Sequence, residues 1–358
     1  MDGSAHAAAG VTTQILGSNP VAAWRRANRN RVAVSLVVIA LLVASFAADV
    51  ATGPAMLPLG AVIRSLLGGG DPMTAAIVHQ LRLPIAAMAA VVGAALGISG
   101  AVMQTILNNP LASSYTLGIS AGAGFGAALA ILIGGALPLP EAWAVPIAAF
   151  AFAALACAIV VGIGRMQGAT PELLVLAGIA CLFLFQALLS LLQFVASPEA
   201  LQQIVFWLFG SLLRASMTKV TVVAIVLAAA FPMLLRDAWR LTALSLGDER
   251  ARALGVNVQA LRLRAFLAVS LLTGAAVAFV GTIGFVGLVA PHIARWLVGE
   301  DQRHLLPASA LVGALLLSAA SVASKLVMPG TVFPIGIVTA LIGVPFFFWL
   351  VIANRRGA

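Results

Sequence analysis

The sequence predicts an all-α, polytopic membrane protein of about ten transmembrane helices, and three observations carry that prediction. Of its 358 residues, 62% are hydrophobic and only 9% charged, whereas soluble globular chains average about 25% charged. Too little polar surface remains to coat water-soluble domains. Apolar stretches of the roughly 20 residues needed to cross a hydrocarbon core recur between Gly, Pro and charged clusters. Lys and Arg gather at alternate ends of those stretches, as loops on one side of a bilayer do.

The elements follow in order. Residues 1–31 form a polar tail ending in Trp24-Arg25-Arg26-Ala27-Asn28-Arg29-Asn30-Arg31. The apolar run from Val32 to Val50 is too long for a signal peptide and lacks a convincing cleavage site, so 33–53 is expected to be a retained first span. The second, 83–106, stops at the polar turn Asn108-Asn109-Pro110-Leu111-Ala112, whose Asn side chains suit helix capping. The third, 115–135, is rich in Gly, and the fourth, 143–163, ends at Arg165. The fifth, 172–196, opens after Thr170-Pro171 and carries Phe183, Phe185, Gln186, Gln193 and Phe194. The sixth, 217–235, closes on Arg236; a charged stretch over 236–264 precedes the seventh, 263–283. The eighth, 286–299, is short and holds His292 and Arg295, so it is expected to pack inside protein as a half-span. Spans 306–328 and 334–353 complete a single ten-helix domain over 32–353, with 354–358 as a second tail.

Orientation follows from counting cations. Fifteen Lys and Arg fall on the side of the termini and five on the other (Arg64, Arg82, Arg214, Lys219 and Lys325), which predicts that both termini are cytoplasmic. A net charge of +9 suggests nucleic-acid binding in a soluble protein; in lipid the same excess marks topology. Cys157 and Cys181 lie in apolar stretches without metal-ligand spacing and are expected as buried thiols. No metal site is expected. Asp49 and Lys325 sit near span ends, where both are expected to reach the interface.

The chain also repeats itself. A shift of 181 residues superimposes Gly93-Ala94-Ala95 on Gly274-Ala275-Ala276, Gly100 on Gly281, Leu107 on Leu288, Pro110 on Pro291 and Gly118 on Gly299. The matched spans run in opposite directions, so the repeat is inverted, an arrangement common in transporters. Gly residues spaced by about four, as in Gly93, Gly97 and Gly100, predict closely approaching helices. No cluster of Asp, Glu or His within the spans suggests a proton relay or an enzyme centre. The energy source is therefore expected to lie elsewhere, and it is not ATP bound by this chain. A phosphate-binding G-x-x-x-x-G-K-[ST] loop needs Lys after Gly, whereas Lys219 and Lys325 follow Thr218 and Ser324.

The most informative stretch is 236–264. Within it Gly247 and Gly255 bracket Asp248-Glu249-Arg250-Ala251-Arg252-Ala253-Leu254. Acids at the start, bases later and Gly at the end predict a short helix, with Ala251 and Leu254 on one face. The segment Leu246 to Val256 resembles the coupling loop of permease subunits in the iron-chelate, haem and cobalamin family of bacterial ABC importers. Four further stretches agree: Arg82-Leu83-Pro84; Asn109-Pro110-Leu111-Ala112 with Leu117-Gly118-Ile119-Ser120; Gly281 to His292; and Phe333 to Pro345. Together they cover about residues 80–350.

The resemblance implies an inner-membrane permease that pairs with a second permease subunit, most simply a copy of itself, around a central pathway. It implies two cytoplasmic ATPase subunits gripping the coupling loop within 236–262, and a periplasmic or extracellular binding protein at the outer face. Arg82 and Lys325 match the family's docking cations, although Ile85 stands where many relatives have a second Arg. Thr170, Pro171 and Glu172 align with the cytoplasmic gate. For the pathway, Phe183, Gln186, Gln193 and Phe194 are candidates. With no Arg among them to hold a haem propionate, a ferric siderophore is favoured, with haem or cobalamin import by the same machinery as the alternative. An ion-coupled secondary transporter is the alternative the repeat alone would support.

Overall fold

The computed structural model describes residues 20–54, 57–115, 117–134, 139–327 and 331–354. Of the expected tails, 1–19 and 355–358, with Arg355 and Arg356, lie outside the described residues. Every regular element among the described residues is helical. The ten expected spans correspond to Pro20–Ala51, Leu83–Ile106, Ile119–Ile133, Glu141–Gln167, Pro171–Val195, Met217–Arg236, Val258–Val280, Val286–Val298, Gln302–Leu326 and Ile335–Asn354. Seven helical stretches are long and apolar enough to cross a membrane; Ile119–Ile133, Val286–Val298 and Ile335–Trp349 are shorter apolar helices.

The first helix is described from Pro20, so part of the expected tail, 20–31, is instead a helical extension of the first span. No Gly or Pro follows within 21–31 to break the helix. Helices Leu59–Leu66, Pro198–Leu208 and Ala238–Leu244 lie between the spans. Pro72–Ala76 runs through a π-helical stretch, Ile77–Arg82, directly into Leu83–Ile106. Pro84 has no N–H to give the carbonyl of Gln80, and the turn before it widens.

Burial separates centre from periphery. In Pro72–Ile106 and Val258–Val280, 78% of the most apolar window is buried, against 11% in the first helix. Leu83–Ile106, Val258–Val280 and Gln302–Leu326 therefore form the centre, and the first helix flanks it. The expected glycine seam is real. A Cβ built at Gly93 would overlap the backbone of Gly313, and one at Gly100 the backbone of Gly287. Without water to drive them together, helices in lipid gain from such close contact.

The matched helices of the repeat run in opposite directions: Arg262, near the start of Val258–Val280, bonds the carbonyl of Ile106, the last residue of Leu83–Ile106. The two copies differ after that. The described residues of 107–118 hold no regular element, whereas 288–299 is almost entirely helical. Pro291 thus lies inside a helix, whereas its counterpart Pro110 lies in the irregular turn. The short Val286–Val298 helix buries Val286, Val289, Ala290, Pro291, Ala294 and Val298, so it packs within protein. Both cysteines are free and buried.

Candidate functional site

The charged 236–264 segment projects from one end of the bundle and is built in two steps. Helix Ala238–Leu244 buries Ala238, Leu241, Ala243 and Leu244. At its start Asp237 accepts from Arg240 at 2.6 Å and lies 3.5 Å from Arg264. The chain then turns at Gly247, whose φ of 103° disfavours any residue with a Cβ, and enters helix Asp248–Ala253. Gly255, with φ 79°, ends it. Acids occupy its first turn and bases its last, as its dipole favours.

One expectation for this helix fails. Ala251 is buried, but Leu254 is the capping residue after the last helical position and is 53% exposed. Its side chain joins exposed Leu246, Glu249, Arg250, Arg252 and Ala253 on the outer surface. The result is a protruding knob with acidic, basic and apolar groups side by side.

Behind that knob lies a cation of the charged 236–264 stretch with no role expected of it. Arg262 has a side chain only 2% exposed. Its NH1 and NH2 donate to Asp248 Oδ2 and Oδ1 at 3.1 and 2.7 Å. Its Nε donates to the Ile106 carbonyl at 2.7 Å, and NH1 also to the Ala169 carbonyl at 2.7 Å. A buried guanidinium needs such saturation, because an unpaired charge in the interior is costly. A signal existed in the sequence. Arg262 falls in the apolar stripe Val258, Ala265, Val269, Leu272 and Ala276, all buried, where a cation is out of pattern.

The expected gate residues adjoin this link. Thr170 caps helix Pro171–Val195, its hydroxyl accepting from the Leu173 amide at 3.3 Å. Pro171 occupies the opening position, and Glu172 is exposed in the first turn. A shallow, open groove of about 620 Å³ runs between Leu107, Asn108 and Asn109 on one wall and Pro171, Glu172 and Val175 on the other. The structure thus brings the gate candidates together with the Asn-Pro turn, two motifs sixty residues apart in sequence numbering.

At the same end a second polar lattice holds the central helices in register. Arg295 donates to Gln104 at 3.0 Å and to Glu300 at 3.1 Å. Gln302 donates to Thr105 at 2.8 Å, and its amide to Thr242 at 2.9 Å. Asp301 caps Gln302–Leu326, and the guanidinium of Arg303 donates to it at 2.7 Å. Those bonds hold the Asp301 carboxyl down to about 2, below the usual carboxylate range.

The expected docking cations require a correction. Arg82 and Lys325 are 4% and 8% exposed and do not face outward. Lys325 Nζ donates to Asp49 Oδ1 at 2.7 Å and to the Asp49 carbonyl at 2.9 Å. Arg82 donates to the carbonyls of Val50 and Ala51, at the end of the first helix. Asp49 and Lys325 therefore form a buried pair and do not reach the interface as expected. An unbonded helix end and an apolar surrounding draw both cations inward.

Of the pathway candidates, Phe183 and Phe194 are 64% and 87% exposed; Gln186 is exposed and Gln193 half-buried. Neighbouring Phe185 turns the other way, against Phe125 and Phe152. The structure encloses none of the four within this chain.

Comparison with known proteins accounts for this arrangement. Residues 41–353 match the FecCD transport family. The chain belongs to that family. The FecCD match contains the knob, Arg262, the gate candidates and both ion pairs. Among FecCD relatives, the iron(3+)-hydroxamate import system permease protein FhuB of Bacillus subtilis is 40% identical over 283 residues, 78% of this chain and 72% of its own. The hemin transport system permease protein HmuU of Yersinia pestis is 40% identical over 279 residues, 77% of this chain and 83% of its own. A solved metal-chelate type ABC transporter in an inward-facing conformation matches with a TM-score of 0.79 at 33% identity, over 89% of this chain and 98% of that one. The FecCD chain described here is accordingly a multi-pass membrane protein of the ABC importer permease class.

Proposed function

We propose that this chain is the translocation subunit of an ATP-driven importer that carries a ferric siderophore across the bacterial inner membrane. The observation that carries the reading is the knob at 246–254: mixed charge and an exposed Leu254 on a helix whose base is held by a buried ion pair. Such a surface suits a soluble partner that must push without slipping. In this reading two ATPase subunits grip Gly247 to Gly255, ATP stays on those subunits, and this chain binds no cofactor of its own. A second permease copy completes the pathway, and the exposed face of Pro171–Val195 with Phe183, Gln186, Gln193 and Phe194 lines it. Thr170, Pro171 and Glu172 close its cytoplasmic mouth. Both termini lie in the cytoplasm, and a binding protein delivers the substrate from outside.

The absence of an Arg among the candidate lining residues, which could hold a haem propionate, favours a ferric siderophore over haem. The test is uptake into proteoliposomes that contain the chain, its ATPase and its binding protein, offered ferric hydroxamate, haem and cobalamin in parallel. ATP-dependent uptake of ferric hydroxamate is the expected result; stimulation by cobalamin alone would overturn the substrate. Transport by the purified chain alone under an ion gradient would overturn the whole reading in favour of a secondary transporter.

A further inference from the structure

Arg262 does more than fill a buried site. Three separate pieces of chain end on one planar guanidinium: the knob helix through Asp248, the end of Leu83–Ile106 through the Ile106 carbonyl, and the turn before Pro171 through the Ala169 carbonyl. Ile106 immediately precedes one wall of the 620 Å³ groove, Leu107 to Asn109, and Ala169 lies two residues before the other, Pro171 to Val175. Asp248 is partly exposed, at 27%, beside exposed Glu249 and Arg250. The contacts therefore run from the surface to the groove in two steps, Asp248 to Arg262 and Arg262 to both walls.

We propose that Arg262 is a positioning residue that ties the Asp248–Ala253 helix to both walls of the groove, so that displacement of the helix shifts the two walls together. This rests on the importer reading above for its role in transport, while the mechanical link stands on the contacts alone. A guanidinium is suited to the task because its donors form a rigid fork. Asp248 cannot shift relative to Arg262 without straining or breaking the carbonyl bonds on the same plane. Lys would keep the charge but would offer one compact ammonium with a flexible stem, which cannot bridge partners on three sides. Packed elements with discrete arrangements respond to such a shift by switching, which is how a small movement at a surface reaches a distant opening.

Two measurements test the link. On the purified full chain, hydrogen–deuterium exchange is compared among wild type, Asp248→Asn and Arg262→Lys. Exchange is expected to rise together in 104–109 and 167–173 in both variants, with 300–304, held by the separate Asp301 and Gln302 bonds, unchanged. A rise everywhere, or in neither segment, would overturn the proposal.

In proteoliposomes with the ATPase and binding protein, Glu172→Cys is labelled with an impermeant maleimide, with and without ATP; Cys157 and Cys181 are buried and give little background. Wild type should change its labelling rate on ATP addition, and both variants should lose that change. Imported ferric hydroxamate per ATP hydrolysed should fall at least about fivefold, the lower end of typical coupling between sites. Variants that keep the ATP-dependent labelling and the wild-type ratio would sink the relay. So would a proportional loss of import and hydrolysis, the mark of a merely structural residue. A wild-type complex that imports none of the panel would overturn the importer reading instead, and the exchange data would still decide the link.

Discussion

Both ends of the molecule bury a cation against a carboxylate, and the two pairs are built differently. The side chains of Lys325 and Asp49 are 3% and 0% exposed, one ammonium against one carboxylate oxygen and the carbonyl of the same residue; Asp49 also accepts from Ser321 at 2.8 Å, while its Oδ2 has no partner among the described residues. Arg262 is equally buried, but it uses a bidentate fork, adds two carbonyls, and leaves Asp248 partly in solvent. The first pair staples one helix to another and offers nothing outside to pull on. The second connects three elements and has a handle. Burial alone therefore does not tell a staple from a link; the number of elements joined and the exposure of one partner do.

The staple should be the costlier one to break. Lys325→Met strands Asp49 without a counter-charge, and removing one partner of a buried pair typically costs about 3–5 kcal/mol. Thermal unfolding in detergent should show the largest Tm loss of any single change considered, and Lys325→Met with Asp49→Leu should recover most of it. Failure of the double variant to recover would mean the pair is not self-contained. Arg262→Met should cost less, about 2–3 kcal/mol for bonds to a charged group, because water reaches Asp248. An equal or larger loss would erase the distinction between the two ends.

Much of the fold was legible because hydropathy decides it: ten expected spans have ten helices, and the Gly93 and Gly100 seam needed only residue size. The knob helix was legible because two Gly and an acid-to-base order are local signals. What was hidden is long-range. Arg262 bonds residues 156 and 93 positions away, and no local rule pairs it with a carbonyl before the Thr170 turn. Lys325 was misjudged because a Lys near a span end is ordinarily drawn to the interface, while its actual partner is 276 positions away. Leu254 parts from Ala251 because the helix stops at Ala253, so the helical spacing that would have set the two on one face no longer applies.

A surface pair at the charged end sharpens the contrast from the other side. Asp301 is held at about 2 by the Arg303 bonds, below the ordinary 3.8. A carboxyl depressed in the fold adds stability above its ordinary value and loses it as pH falls through the folded one. Asp301→Asn should therefore destabilise by less than about 1 kcal/mol at neutral pH, because Arg303 is exposed and such pairs are screened. The gap from wild type should narrow as pH drops from about 4 towards 2. A gap that stays constant over that range, in parallel Tm series, would show that Asp301 acts as a neutral cap.

The smallest effect on the fold should come from Leu254→Asp, and it is the most informative about the handle. Leu254 is 53% exposed and follows the last helical residue, so an exposed acid there should change stability by no more than about 0.5 kcal/mol. If the knob is where a soluble partner presses, the same change places a charge in the centre of that contact, where a desolvated, unpaired carboxylate is unfavourable. Tm should stay at the wild-type value while copurification with the ATPase subunit and its stimulated hydrolysis both fall. A folded Leu254→Asp chain that still retains its ATPase would move the contact off the knob, and Arg262 would then have no exposed handle to transmit from.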